Sequence, residues 1–224
     1  MLILGVDTSG RSGSIALVRC EAGESISVDL VALEGGTFSA QLVPHIAATL
    51  DKHGLTKHQI DAFAVVTGPG SFTGLRIGLA AVKALGQILD KPIAAVSLLE
   101  AVVIATGRNG RFVAVLDAGR GEVYAGTYDV EASRAACVDE KLLAISELVA
   151  EPAGQHVVTP DQKLANMLQK SGTSITLVEP PKADAIARIG FDKLQRGETV
   201  PPEALDATYI RRTDAEMKLA ERAR

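Results

Sequence analysis

LILGVDTSGRSGSIALVR at residues 2–19 and FVAVLDAGRGEVYAGTY at residues 112–128 share one pattern: an apolar run ending in Asp, a glycine-containing turn, and a second apolar run. The apolar runs 2–8 and 112–117 read as buried strands, and 12–19 and 123–128 read as their hairpin partners. Gly10 and Gly13 supply the first turn and AGRGE the second. Asp7 and Asp117 hold the same place in the two units, so the pattern predicts a chain of two related halves, each opening with a hairpin.

Working outward, residues 25–33 follow as a third strand. Residues 39–53 carry Leu42, Val43, Ile46, Ala47 and Leu50 at helical spacing, with Gly54 as a stop signal. A short strand at 62–67 runs through the loop GPGSFTG (68–74) into a helix over 75–89, and a strand at 93–96 leads to a helix over 97–105 that opens on Ser97 as N-cap. The polar stretch TGRNGR (106–111) reads as a crossing between subdomains, dividing the chain into 1–106 and 107–224, with the last segment packing back on the first. The second unit continues with a helix at 146–150, a strand at 157–159 and a helix over 161–170 capped by Asp161. A strand at 174–178 and a helix over 183–196, after the break at Pro180 and Pro181, complete it. Hairpins mixed with strand-helix alternation give an α/β class with mixed sheets in two subdomains.

The helix over 75–89 is apolar on two sides: Leu75, Leu79, Val82 and Leu89 on one, Ile77, Ala81, Ala84 and Ile88 on the other. It needs two covers. Its small residues Gly78, Ala80, Ala81 and Ala84 admit a close backbone, so the second cover is either a helix of another chain or another part of its own domain.

Composition narrows the function classes. A chain of 224 residues, 47% hydrophobic and 22% charged, buries a real core. It has no run of about eighteen uninterrupted apolar residues and opens with no basic leader, which predicts a cytoplasmic protein with no membrane segment. Cys20 and Cys137 stand far apart, outside any CxxC spacing, and read as two buried small side chains. A formal net charge of −4 argues against a chain that grips nucleic acid alone, because phosphate contacts need a concentrated basic surface.

Paired Asp-turn hairpins in duplicated α/β halves resemble the phosphate cleft of the actin-like ATPase and sugar kinase superfamily. That resemblance makes Asp7, Thr8, Ser9, Asp117 and Gly119 candidate nucleotide-binding residues, with turn N–H groups facing phosphates and a carboxylate holding a magnesium shell. The alternative is that each acid simply accepts from the turn N–H that follows it. Loop 68–74 opens a helix in the manner of an anion nest but lacks a Walker lysine; its other role is a tight turn with Ser71 or Thr73 as cap. Ser71 is not in a GxSxG context, so no nucleophile is predicted. His45, His53, His58 and His156 form no HxxxH or HExxH pair and predict no metal site; His45 reads as a surface or interface residue.

VDTSGRSGSIAL (6–17), GPGSFTGLRIG (68–78), VSLLEA (96–101), DAGRGEVYAG (117–126) and the closing ATYIRR (207–212) together resemble the TsaB (YeaZ) family over essentially the whole chain. The resemblance implies a duplicated actin-like ATPase (ribonuclease H-like, ASKHA) fold. It also implies a non-catalytic scaffold or activating subunit of the machinery that makes threonylcarbamoyladenosine in transfer RNA. Such a subunit pairs with TsaD, is joined by the ATPase TsaE, forms a homodimer when alone and meets tRNA only through the complex. It needs no cofactor beyond weakly bound nucleotide. The catalytic relative TsaD carries a metal-binding HxxxH in its first long helix; the similar helix here reads FSAQLVPH (38–45), without the pair. Pairing through the first two helices implies an interface of Leu42, His45, Ile46 and Thr49 with Ile77, Ala81, Ala84 and Ile88. One departure is Gly119 where the family usually has Arg, which puts any contact of that Arg in question. Arg211, Arg212, Lys218, Arg222 and Arg224, interrupted by Asp214, Glu216 and Glu221, read as a solvated tail. The rival readings are an actin-fold ATPase or small-molecule kinase using Asp7 and Asp117, and a glycoprotease.

Overall fold

The computed structural model describes residues 1–21, 24–34, 37–132, 134–150 and 155–210. The basic tail from Arg211 onward lies outside the described residues.

The first half runs β1 (Leu2–Asp7), β2 (Gly13–Glu21), β3 (Glu24–Leu33), α1 (Phe38–Lys52), β4 (Ala62–Gly68), α2 (Phe72–Leu89), β5 (Ile93–Ser97), α3 (Leu98–Ile104). The second repeats that order: β6 (Gly110–Gly119), β7 (Glu122–Glu131), β8 (Arg134–Ala144), α4 (Ile145–Ala150), β9 (His156–Thr159), α5 (Gln162–Gln169), β10 (Ser174–Leu177), α6 (Ala183–Gln195). One sheet is ordered β3-β2-β1-β4-β5 and the other β8-β7-β6-β9-β10. In each, the first three strands pair antiparallel and the last two add in parallel to the first. Duplication is thus visible in topology as well as in sequence, and this is the duplicated actin-like architecture.

β1 and β4 are buried along their whole length, as central strands covered on both faces must be, which is why they read as unbroken apolar runs. β8, at the opposite extreme, has no counterpart in the sequence reading. Its residues RAACVDEKLLA are exposed or half-exposed throughout, and it is held by its register with β7, with only Ala135 and Leu143 packing against the cores. Cys137 lies on this strand and is exposed, against the expectation of a buried thiol; Cys20 is buried.

The helix that ends each half crosses to the other. Leu99, Val102 and Val103 of α3 pack with Phe112, Ala114, Tyr128, Val130 and Val158 of the second sheet. Ala183, Ile186, Ala187 and Ile189 of α6 join the first core. α6 comes so near β1 that a Cβ at Gly5 would stand 2.1 Å from the Ala183 carbonyl oxygen. The boundary between residues 106 and 107 therefore follows the chain but not the packing, because α3 and α6 exchange places. After α6, the Val200 N–H donates to Ile93 O at 2.9 Å, Leu205 is buried in the first core, and the Thr208 N–H donates to Thr67 O at 2.8 Å.

α2 begins at Phe72, three residues ahead of the sequence expectation, because Ser71 acts as N-cap and its Oγ accepts from the Gly74 N–H at 3.3 Å. It is long and apolar enough to cross a membrane by composition, yet Leu75, Leu79 and Val82 lie in the first core.

Candidate functional site

Between the halves lies a cleft of about 880 Å³, lined from one side by Ser9, Arg11, Phe38, Ser71, Thr73 and Ile77 and from the other by Asp117, Gly119 and Tyr124. It continues past Leu98 and Leu116 toward Asp161 and Lys163. The two Asp-turn hairpins thus meet at one cleft, but they reach it in different states.

In the first hairpin, Asp7 Oδ1 accepts from the Ser9 N–H at 2.8 Å and from the Ser9 hydroxyl at 2.6 Å. Loop 68–74 closes over this turn: the Ser71 N–H donates to Ser9 O at 2.6 Å, and the Thr8 hydroxyl donates to Gly74 O at 2.7 Å. A Cβ at Gly70 would stand 2.4 Å from Ser9 O, and one at Gly74 2.1 Å from Thr8 O. Asp7, Thr8 and Ser9 are all buried. Burial pushes the Asp7 carboxyl above the ordinary carboxylate range, against the pull of the two Ser9 hydrogen bonds. Asp7 and Thr8 do not line the cleft; Ser9 does.

In the second hairpin Asp117 is exposed, and its Oδ1 accepts from the Gly119 N–H at 2.8 Å. Gly119 pairs with Glu122, leaving Arg120 and Gly121 as a two-residue turn with φ of 59° and 78°. Positive φ at both central residues is what a type I′ hairpin demands. Gly119 itself has φ of 74°, so glycine in place of Arg fits the backbone here, where a side chain would be strained. The structure brings together the candidate nucleotide residues Ser9, Asp117 and Gly119, and in both hairpins the acid bonds the turn N–H two residues on.

The candidate interface divides. Leu42, Ile46 and Thr49 lie inside the protein's own core, so they are no contact surface; the exposed side of α1 is Val43, Pro44, Ala47 and Ala48 instead. The physical reason is that α1 spends its Leu42–Ile46–Leu50 stripe on covering its own sheet. His45, Ile77 and Ala81 are half-buried, whereas Ala84 is exposed and Ile88 is 74% exposed. Of the two covers α2 requires, its own core is one, and Ala80, Ala84 and Ile88 face outward.

Sequence reasoning missed a cluster beside that face. The Arg76 guanidinium lies 3.8 Å from the centroid of Phe72, its Nε donates to the Tyr209 hydroxyl at 3.0 Å, and the two rings are 5.2 Å apart. The shared presence of Phe72 and Arg76 in GPGSFTGLRIG and of Tyr209 in ATYIRR was the available signal. Among the described residues no three His, Cys, Asp or Glu side chains converge as a metal site.

A family model described as TsaD, tRNA N6-adenosine threonylcarbamoyltransferase, matches residues 35–194. The chain belongs to the TsaD family. Within it, the chain is of the TsaB (YeaZ) kind. It is 29% identical, over 99% of each chain, to the tRNA threonylcarbamoyladenosine biosynthesis protein TsaB of Bacillus subtilis (strain 168). It is 28% identical to the protein of the same description from Escherichia coli (strain K12), over 98% of each chain. Among solved structures, YeaZ from Pseudomonas aeruginosa superposes with a TM-score of 0.76 at 25% identity, covering 93% of this chain and 99% of the other.

Proposed function

We propose that this TsaB-type chain serves tRNA threonylcarbamoyladenosine biosynthesis as a non-catalytic scaffold or activating subunit. It pairs with TsaD through the exposed faces of α1 and α2, with TsaE joining the complex and tRNA held mainly by the partners. The observation that carries the reading is that Ala80, Ala84 and Ile88 of α2 and Val43, Pro44 and Ala47 of α1 are exposed apolar side chains on two helices in contact, whose other sides are committed to the core. The same face supports a homodimer when TsaD is absent. We place the protein in the cytoplasm.

Nucleotide binds weakly at most in this proposal. The Ser9 N–H that a phosphate would need is already committed to Asp7, and loop 68–74 occupies the turn. The rival kinase reading requires magnesium-dependent turnover by the isolated chain that Asp7→Asn abolishes.

The test is co-elution with the TsaD and TsaE of the same organism on a sizing column, with tRNA modification assayed for each component singly and together. Ala84→Arg puts a charge on the exposed side of α2, where no folding cost is expected, and should abolish co-elution while the thermal melt of the isolated chain is unchanged. Full complex formation by the folded variant would reject this face, and modification by this chain without TsaD would reject the subunit role.

A further inference from the structure

The chain leaves the first sheet for the second at one point, where β5 ends at Ser97 and α3 begins at Leu98 with no residue between. Ser97 holds the N-cap position, yet its hydroxyl makes no cap bond to its own helix. It donates instead to Glu140 Oε1 of β8 at 2.7 Å. The Tyr128 hydroxyl of β7 donates to the same carboxylate oxygen and stands 3.2 Å from Ser97 Oγ. Tyr128 is buried, and burial together with the Glu140 charge pushes its hydroxyl pKa upward, so it remains a donor. The polar chain continues: the Ser97 N–H donates to Glu100, and Glu100 pairs with Lys193 of α6 at 3.0 Å. Side chains of the second sheet, the crossing point and the helix on the first sheet are thereby joined in one network.

The other crossing is tied at the equivalent strand. The N–H of Ala183, first residue of α6, donates to Ser14 Oγ of β2 at 2.9 Å, and β2 holds in the first half the place of β7 in the second. Leu98 and Tyr124, neighbours of the Ser97 cluster along the chain and strand, line the cleft.

We propose that Ser97, Tyr128 and Glu140 form a latch that sets the opening of the cleft between the halves. A rotation of one sheet against the other has to bend the chain where it passes between them. At the β5–α3 junction there is no spacer to absorb the bend, so Ser97 moves relative to β7 and β8 and at least one latch bond breaks. With the latch made, the two hairpin turns face each other at a fixed separation, and the cleft is a rigid feature.

The experiment places spin labels on genetically encoded keto amino acids at positions 11 and 163, which line the cleft from opposite halves, in an otherwise unchanged full-length background; both cysteines stay in place because the Cys137 thiol bonds to Tyr128. Double electron–electron resonance should give one narrow distance distribution. Glu140→Gln and Tyr128→Phe should widen it or shift its mean, while Asp129→Asn, which breaks the exposed Arg111 pair on the same strand, should leave it unchanged. Distributions that superimpose on the background in folded latch variants overturn the proposal, even where melting temperature falls, because that result assigns the cluster to stability alone. Should either variant fail to fold, Ser97→Ala removes one donor with little change in packing and carries the same two outcomes.

Discussion

The two hairpins that begin the halves share a sequence pattern and a place in their sheets, yet one is closed and the other open. The turn after Asp7 spans residues 8–12 and is roofed by loop 68–74, which reaches it through Ser71 and Gly74. The turn after Asp117 has two residues and stands exposed at the cleft. The first unit has added a loop that consumes the turn's own hydrogen-bonding groups; the second keeps the shortest connection its strands allow. Duplication thus conserved the frame, including the acid's bond to the N–H two residues on, while a covering loop holds the turn in the first copy only. The comparison teaches that an Asp-turn pattern marks a position in this fold, and what covers the turn decides whether that position is a site.

Glycine substitutions should separate the turns most widely. At Gly74 an added Cβ meets the Thr8 backbone oxygen at 2.1 Å, which no rotamer change relieves, so Gly74→Ala should cost about 3 kcal/mol or more in urea denaturation. At Gly119 nothing lies within 4 Å, and the cost of Gly119→Ala is only that of a left-handed backbone, about 1–2 kcal/mol. Equal losses would mean that loop 68–74 does not clamp the first turn in solution. The acids come next. Asp7→Ala leaves the Ser9 N–H and hydroxyl without their acceptor in a buried turn, a loss of about 1–3 kcal/mol that relief of the buried carboxylate partly offsets. Asp117→Ala changes an exposed turn that water can satisfy and should fall within about 0.5 kcal/mol of the parent. A larger effect at Asp117 than at Asp7 would reverse the assignment of closed and open turns.

Much of this frame was legible in the sequence because it is local. Apolar runs ending in Asp predict β1 and β6, and Asp161 caps α5 as read, accepting from the N–H groups of Lys163 and Leu164. β8 was not legible, since an edge strand whose residues are all exposed or half-buried shows no clean apolar alternation. Nor was the exchange of α3 and α6, which depends on long-range packing such as the Gly5–Ala183 contact. For α1, Leu42, Val43, Ile46, Ala47 and Leu50 read as one apolar set, and only the fold shows that Leu42 and Ile46 face the chain's own core while Val43 and Ala47 face out. Of the residues named for the cleft, Ser9, Asp117 and Gly119 line it, but the roof over Ser9 was not legible, because nothing in GPGSFTG says which backbone it will meet.

A pH series is the sharpest test of enclosure at the first turn. Because burial raises the Asp7 pKa in the folded chain, the fold retains this proton at pH values where the unfolded chain, with a value near 3.8, has released it. The stability it contributes is therefore fully present below that unfolded value and is lost as pH rises through the folded one. Asp7→Asn removes the titration while its amide oxygen can still accept from Ser9. Glu100 is shifted in the same direction, but it is common to both proteins and cancels in the difference. The unfolding free energy of the Asn variant minus that of the parent, measured by urea denaturation along a pH series, should climb with pH above the unfolded value and then level off. Parallel curves would mean that Asp7 meets water as freely as Asp117 does, and the two turns would then differ in loop length but not in enclosure.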